Sequence, residues 1–116
     1  MSNELVTQSG MLPVGVEVDG VVHRDFVLRP QRVRDSMAAL ADPRAAEPSF
    51  LGLAMLATQF MQLGTLDVAK VDADMLLDMY EVDMQVLMGG AKQLRDRLKT
   101  FRDAPQAAAP AADSAA

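Results

Sequence analysis

The stretch 16–30, VEVDGVVHRDFVLRP, sets an Asp-Gly pair between two β-branched runs and closes the second run with a proline. Asp-Gly in that setting is a strong short-range hairpin signal. Pro30 ends the second strand, because it has no N–H to offer a ladder. No other segment carries a comparable β signal. An isolated two-stranded hairpin is marginal in water, so the rest of the chain must give it a surface. The expectation is an α+β fold, mostly α, in which an N-terminal hairpin over 12–28 lies on three to four helices.

Two registers compete at the turn. A two-residue Asp19-Gly20 turn pairs Val18 with Val21 and sets His23 and Asp25 beside Val14 and Val16. A three-residue Val18-Asp19-Gly20 loop, with Gly20 in the left-handed region, shifts the partner strand by one. Leu12, Val14 and Val16 then share a face with Val22, Phe26 and Leu28, while Glu17, His23 and Asp25 face water. One slip inverts every side chain. Only the second register gives a largely apolar side, interrupted by Arg24, so it is the one expected.

Pro30 suits the first turn of a helix. Val33, Met37 and Leu40 follow at i, i+4 and i+7 and predict a helix over 31–41, stopped by Asp42-Pro43. The segment DPRAAEPS reads as a connector with two breakers. A second helix is predicted over 49–63, with Phe50, Leu53, Ala54, Ala57, Phe60 and Met61 as its stripe and Gly64 as its C-terminal cap. It is nearly free of charge, so it should be the most buried.

A third helix is expected over 72–88, with Asp72 as N-cap and Asp74 in the first turn. Leu76, Met79, Tyr80, Asp83, Val86 and Leu87 mark its apolar side. Gly89-Gly90 weakens a helix by roughly 1 kcal/mol per Gly relative to Ala, which marks a hinge, a kink or a stop. Helical spacing resumes over 91–102, with Leu94, Leu98 and Phe101 on one side. Residues 1–10 read as a flexible lead-in to a single domain over 11–102. The Ala/Pro-rich segment 103–116 has too few large apolar residues to order itself.

Little chemistry is on offer. Cysteine is absent and His23 is the single histidine, which removes thiolate and zinc sites. In the expected register His23 is a solvated strand residue. The acids Asp67, Asp72, Asp74, Asp78, Glu81 and Asp83 suggest a cation site at first sight. An EF-hand loop starting at Asp72 would need Gly where Leu77 stands, so a solvated helix face is the better reading. No Gly-rich phosphate motif occurs. The chain is expected to be no enzyme, and to hold no cofactor or metal.

The net charge of -5 argues against a nucleic-acid binder, which would show a basic face. No apolar run approaches the ~20 residues of a membrane span. The N-terminus, MSNELVTQSG, lacks the basic-then-apolar order of a signal peptide, so the expected location is the cytoplasm.

Binding is what remains. Met55, Met61, Met75, Met79, Met84 and Met88 crowd the second and third predicted helices. The pairs Met75/Met79 and Met84/Met88 point to different sides of one helix, so they cannot all be core. Methionine adapts to varied apolar partners, and an exposed apolar patch marks a partner site. Phe60, Met61, Met75, Met79, Met84 and Met88 are the candidate contacts. Charge is also segregated: 67–83 holds six acids and one lysine, while 91–102 holds five bases, Lys92, Arg95, Arg97, Lys99 and Arg102, and one acid. That pattern fits two solvated faces, self-association into a homo-oligomer, or a basic helix docking an acidic partner.

The order of these features carries a resemblance. A V-x-V-D-G turn, a second strand ending L-R-P, a short helix, a very apolar helix and then LGTLDVAKVDADMLLDM follow one another over about 12–88. This resembles the small phage tail assembly chaperones of the Mu-like and P2-like contractile-tail type. Gly64, Leu66, Val68, Val71, Asp72 and Asp74 occupy the segment that opens the last helix in that family. Pro30 follows Arg29 directly where one residue often intervenes, Val71 stands where Leu is usual, and Ala91 onward lies outside the pattern. The resemblance implies a protein of the bacterial host cytoplasm that coats the aggregation-prone tape-measure protein and helps recruit tail-tube subunits. A structural subunit retained in a phage tail or tailocin, or a small host-directed regulator, are the alternative expectations.

Overall fold

A computed structural model describes residues 4–103. The elements are β1 (Gln8–Val18), β2 (Val21–Leu28), α1 (Val33–Leu40), α2 (Pro48–Ala57), β3 (Phe60–Leu63), α3 (Ala73–Leu77) and α4 (Glu81–Lys99), with 3-10 turns at Pro43–Ala46 and Val68–Lys70. The strands form one antiparallel sheet in the order β1-β2-β3. α4 packs along β1, and α2 lies against α1 and α3. Leu12, Phe26, Leu28, Leu56, Phe60, Leu63, Leu76, Leu87 and Leu94 join in one core drawn from sheet and helices. The fold is α+β. The low-complexity segment 103–116, apart from Asp103, lies outside the described residues, and the lead-in is shorter than expected because β1 already begins at Gln8.

The hairpin takes the other register. Val18 pairs with Val21 across a two-residue turn, in which Asp19 and Gly20 both have positive φ, 53° and 81°. This is the turn whose twist matches that of paired strands. The change of face that a three-residue loop would have supplied occurs further along. Between Met11 and Val16, β1 advances five residues while β2 advances two, from His23 to Asp25. The surplus is an irregularity of the bulge kind, and an odd surplus inverts the facing of everything beyond it.

His23 is buried rather than solvated, against Gly64 and Thr65, and Val14 and Val22 are exposed rather than inward. Arg24 and Asp25 both face outward between buried His23 and Phe26. Arg24 also finds a partner, its Nε donating to the Leu12 carbonyl at 2.8 Å. His23 Nδ1 accepts the Thr65 N–H at 3.1 Å. Beneath it lies Gly64, with φ of 58°, where a Cβ would stand 2.3 Å from that ring nitrogen. Gly64 is therefore no helix cap but the turn after β3, required by both its backbone angle and the imidazole.

The predicted helix over 49–63 stops at Ala57, and Phe60–Leu63 is a third strand. The second edge of β2 has backbone groups to satisfy, and a helix cannot satisfy them. Thr58 Oγ1 donates to the Met55 carbonyl at 2.6 Å. Buried Gln59 turns the chain onto β2: its carbonyl accepts Arg29 N–H at 2.8 Å, and its Nε2 donates to the Arg29 carbonyl at 3.0 Å. Pairing then follows from Phe26 opposite Leu63 to Leu28 opposite Phe60.

α1 forms within its predicted span but faces the other way. Val33, Met37 and Leu40 are 80%, 64% and 53% exposed, while Asp35 and Ala39 are buried. The cause is polar. Arg29 grips both Asp35 oxygens at 2.7 and 3.0 Å and also donates to the Thr58 carbonyl at 2.7 Å. Asp35 accepts the Arg32 N–H at 2.8 Å, closing the first turn. This anchor fixes which side of the helix faces in. The Arg29 guanidinium holds the Asp35 carboxyl below the ordinary carboxylate range, and Asp35 in turn raises Arg29.

The helix predicted over 72–88 breaks earlier than its glycines. α3 ends at Leu77, and α4 restarts at Glu81 and runs unbroken through Gly89-Gly90 to Lys99. There is accordingly no separate helix over 91–102, and residues 100–103 form a turn. Asp83, Leu87, Gly90 and Leu94 are the buried line of α4, at i, i+4, i+7 and i+11. At Gly90 a Cβ would meet Gln8 at 3.4 Å and Phe26 at 3.8 Å, whereas Gly89 has open space around it.

Candidate functional site

Between the turn end of the hairpin and α3 lies a groove of about 610 Å³. Val14, Val16, Val18 and Val22 form one wall, and Met75, Met79 and Tyr80 the other, with Glu17, Asp74 and Asp78 also lining it. The size falls in the range of ~300–1,000 Å³ usual for ligand clefts. Val22 and Tyr80 are more than half exposed, so this is an open apolar surface.

The hairpin wall owes its position to α4. Fully buried Asp83 accepts the Val14 N–H at 2.8 Å and the Gly15 N–H at 2.9 Å, one on each carboxylate oxygen. The surplus residues of β1 thus find hydrogen-bond partners that β2 does not provide. Gly15, with φ of 97°, lies where a Cβ would meet Arg24 Cγ at 2.7 Å and the His23 carbonyl at 2.9 Å. Only glycine fits that approach.

The opposite wall is set by the segment Gly64 to Asp74. Asp67 caps the 3-10 turn through Ala69 N–H at 3.0 Å, Val71 enters the core, and Asp72 caps α3 through Met75 N–H at 3.0 Å. Asp74 is tied to Arg44 at 2.8 Å. Arg44 also pairs with Asp42 and lies 4.3 Å over the Phe50 ring. That guanidinium, chiefly through its hydrogen bond, lowers the Asp74 carboxyl below its ordinary range. Among the described residues, Glu17 and Asp78 take part in no ion pair.

The structure disperses the candidate contacts. Met75 and Met79 line the groove. Phe60 is buried in the core, and Met61, on β3 rather than a helix, is half-buried. Met84 is half-buried against the core, whereas Met88 is 55% exposed elsewhere on α4. The basic residues are also divided. Lys92 pairs with Asp96 at 2.8 Å. Arg97 donates to the Thr7 carbonyl and the Gln8 side chain, fastening the start of β1. Arg102 lies 5.0 Å over the Phe101 ring, and Arg95 and Lys99 stay exposed.

Val14, Val18, Val22 and Tyr80 escaped the sequence reading as contacts. The signal that bore on them was Gly15, since glycine inside a strand marks a bulge or a close backbone approach. Asp83 carried a signal too: an acid in an apolar helical stripe is a core position in need of partners.

Among the described residues no helix is long and apolar enough to cross a membrane, and no three His, Cys, Asp or Glu side chains gather as a metal-binding group. In comparisons with known proteins, no family model, no curated protein and no solved structure matches the chain.

Proposed function

We propose that the protein is a phage tail assembly chaperone that binds apolar helical segments of the tape-measure protein in the host cytoplasm and assists recruitment of tail-tube subunits. The motif order over 12–88, with its Gly64 to Asp74 segment, supports this reading. The observation that carries it is the open groove, in which a valine wall faces Met75 and Met79. Thioether side chains adapt to a succession of different apolar surfaces, which a long helical client presents. An amphipathic helix laid in such a groove uses anchors at i, i+3 or i+4, and i+7.

Co-expression with the cognate tape-measure protein tests the reading. The wild-type chain should raise the soluble fraction of that protein several-fold. Val22→Asp with Tyr80→Asp, at two exposed groove positions, should remove most of the gain while leaving the chaperone folded. An unchanged soluble fraction with the wild-type chain would sink the proposal.

A further inference from the structure

We infer that the groove selects, among apolar helical segments, those carrying lysine or arginine beside their apolar anchors; this rests on the groove being the partner site proposed above. Every ionisable side chain lining it except Tyr80 is an acid: Glu17 on the hairpin wall, Asp74 and Asp78 on the α3 wall. Arg44 compensates Asp74. Glu17 and Asp78 are exposed and take part in no described ion pair, so two carboxylates from opposite walls flank an apolar floor. A cation on the incoming segment meets an unmatched partner there, and an acid meets repulsion and desolvation.

The chain has a second exposed apolar surface, Val33, Met37 and Leu40 on α1, and its surroundings carry the opposite sign. Arg32 and Arg34 lie beside it, and Arg32 reaches Glu4 at 3.1 Å. The two surfaces therefore favour different clients. Of these two surfaces the groove is the concave one and the one flanked by uncompensated acid, so the cationic segment belongs there.

The probes are two synthetic amphipathic helical peptides with one common Leu/Met face, flanked by lysine in one and by glutamate in the other. Methyl-labelled methionine NMR of the full chain gives separate reports from Met75 and Met79 in the groove and Met37 on α1. The lysine peptide should shift Met75 and Met79 and bind about ten-fold more tightly than the glutamate peptide, from roughly three-fold per exposed carboxylate. Glu17→Gln with Asp78→Asn should erase that preference and flatten its salt dependence. Both positions are exposed, and an unchanged circular dichroism spectrum confirms the fold.

Equal binding of the two peptides overturns the inference. So do shifts confined to Met37, or Met75 and Met79 shifts that follow protein concentration without peptide, which would make a second copy the occupant. The double variant also separates the two claims. If it solubilises the tape-measure protein as well as the wild type does, the chaperone reading stands and charge selection falls. If neither form solubilises that protein while the lysine preference holds, the chaperone reading falls and the cation-selective groove remains.

Discussion

Asp83 binds two backbone amides 69 and 68 residues away in sequence, and no water-facing substitute for it exists at a fully buried position. Asp83→Ala leaves the Val14 and Gly15 N–H groups without their acceptor. Hydrogen bonds to charged groups contribute about 1.5–3 kcal/mol each, and part of that is recovered because both amides are only partly buried. The expected loss is about 3 kcal/mol in urea unfolding, with Asp83→Asn intermediate because its amide offers one acceptor oxygen. A loss under about 1 kcal/mol would mean that the surplus residues of β1 hold their shape without α4. The same residue shows why side-chain roles were only partly legible. Its place in the apolar stripe was readable, but a partner so far away in sequence was not.

Individual elements respond to backbone entropy and to their neighbours. Gly89 and Gly90 invite a break, and α4 has none, because Leu87 and Leu94 on either side are held in the core. Gly90 contributes by close approach to β1, whereas Gly89 has empty space where a Cβ would stand. Gly89→Ala is therefore expected to stabilise the protein by up to about 1 kcal/mol, read as a higher thermal midpoint; destabilisation would show that α4 needs flexibility there.

Element type was legible wherever a local signal agreed with the tertiary demand: the Asp-Gly hairpin, the start of α3 at Asp72, and the existence of α1. It was not legible where a distant group decided. Phe60-Met61-Gln62-Leu63 suits a helical stripe as well as a strand, and the free edge of β2 settled the matter. The rotation of α1 was set by Arg29 and Thr58, so the spacing of Val33, Met37 and Leu40 predicted a helix correctly and its inward face wrongly. Of the groove, Met75 and Met79 were foreseen, while its valine wall depended on a register change that no turn signal encodes.

At the level of the whole molecule, the Arg29–Asp35 pair joins the end of β2, the start of α1 and the end of α2. Asp35 is held below its ordinary value, chiefly by its hydrogen bonds to Arg29. A carboxyl lowered in the folded state adds stability above its unfolded pKa, about 3.9, and loses it as pH falls through the folded value. The difference in urea midpoint between wild type and Asp35→Asn should therefore be full near neutrality and narrow steadily below about pH 4. A difference independent of pH would indicate that the carboxylate charge contributes nothing at this junction.

α4 fastens β1 at two places, through Asp83 at the surplus residues and Arg97 at Thr7 and Gln8. The consequence concerns synthesis. At ~5–20 residues per second, the 69-residue separation between Val14 and Asp83 corresponds to roughly 3–14 s of translation. For the part of that interval after Leu28 has been added, the hairpin stands with its bent strand unfastened and Leu12, Phe26 and Leu28 lacking their helix. The nascent chain is thus itself a short-lived aggregation hazard, relieved only when α4 emerges.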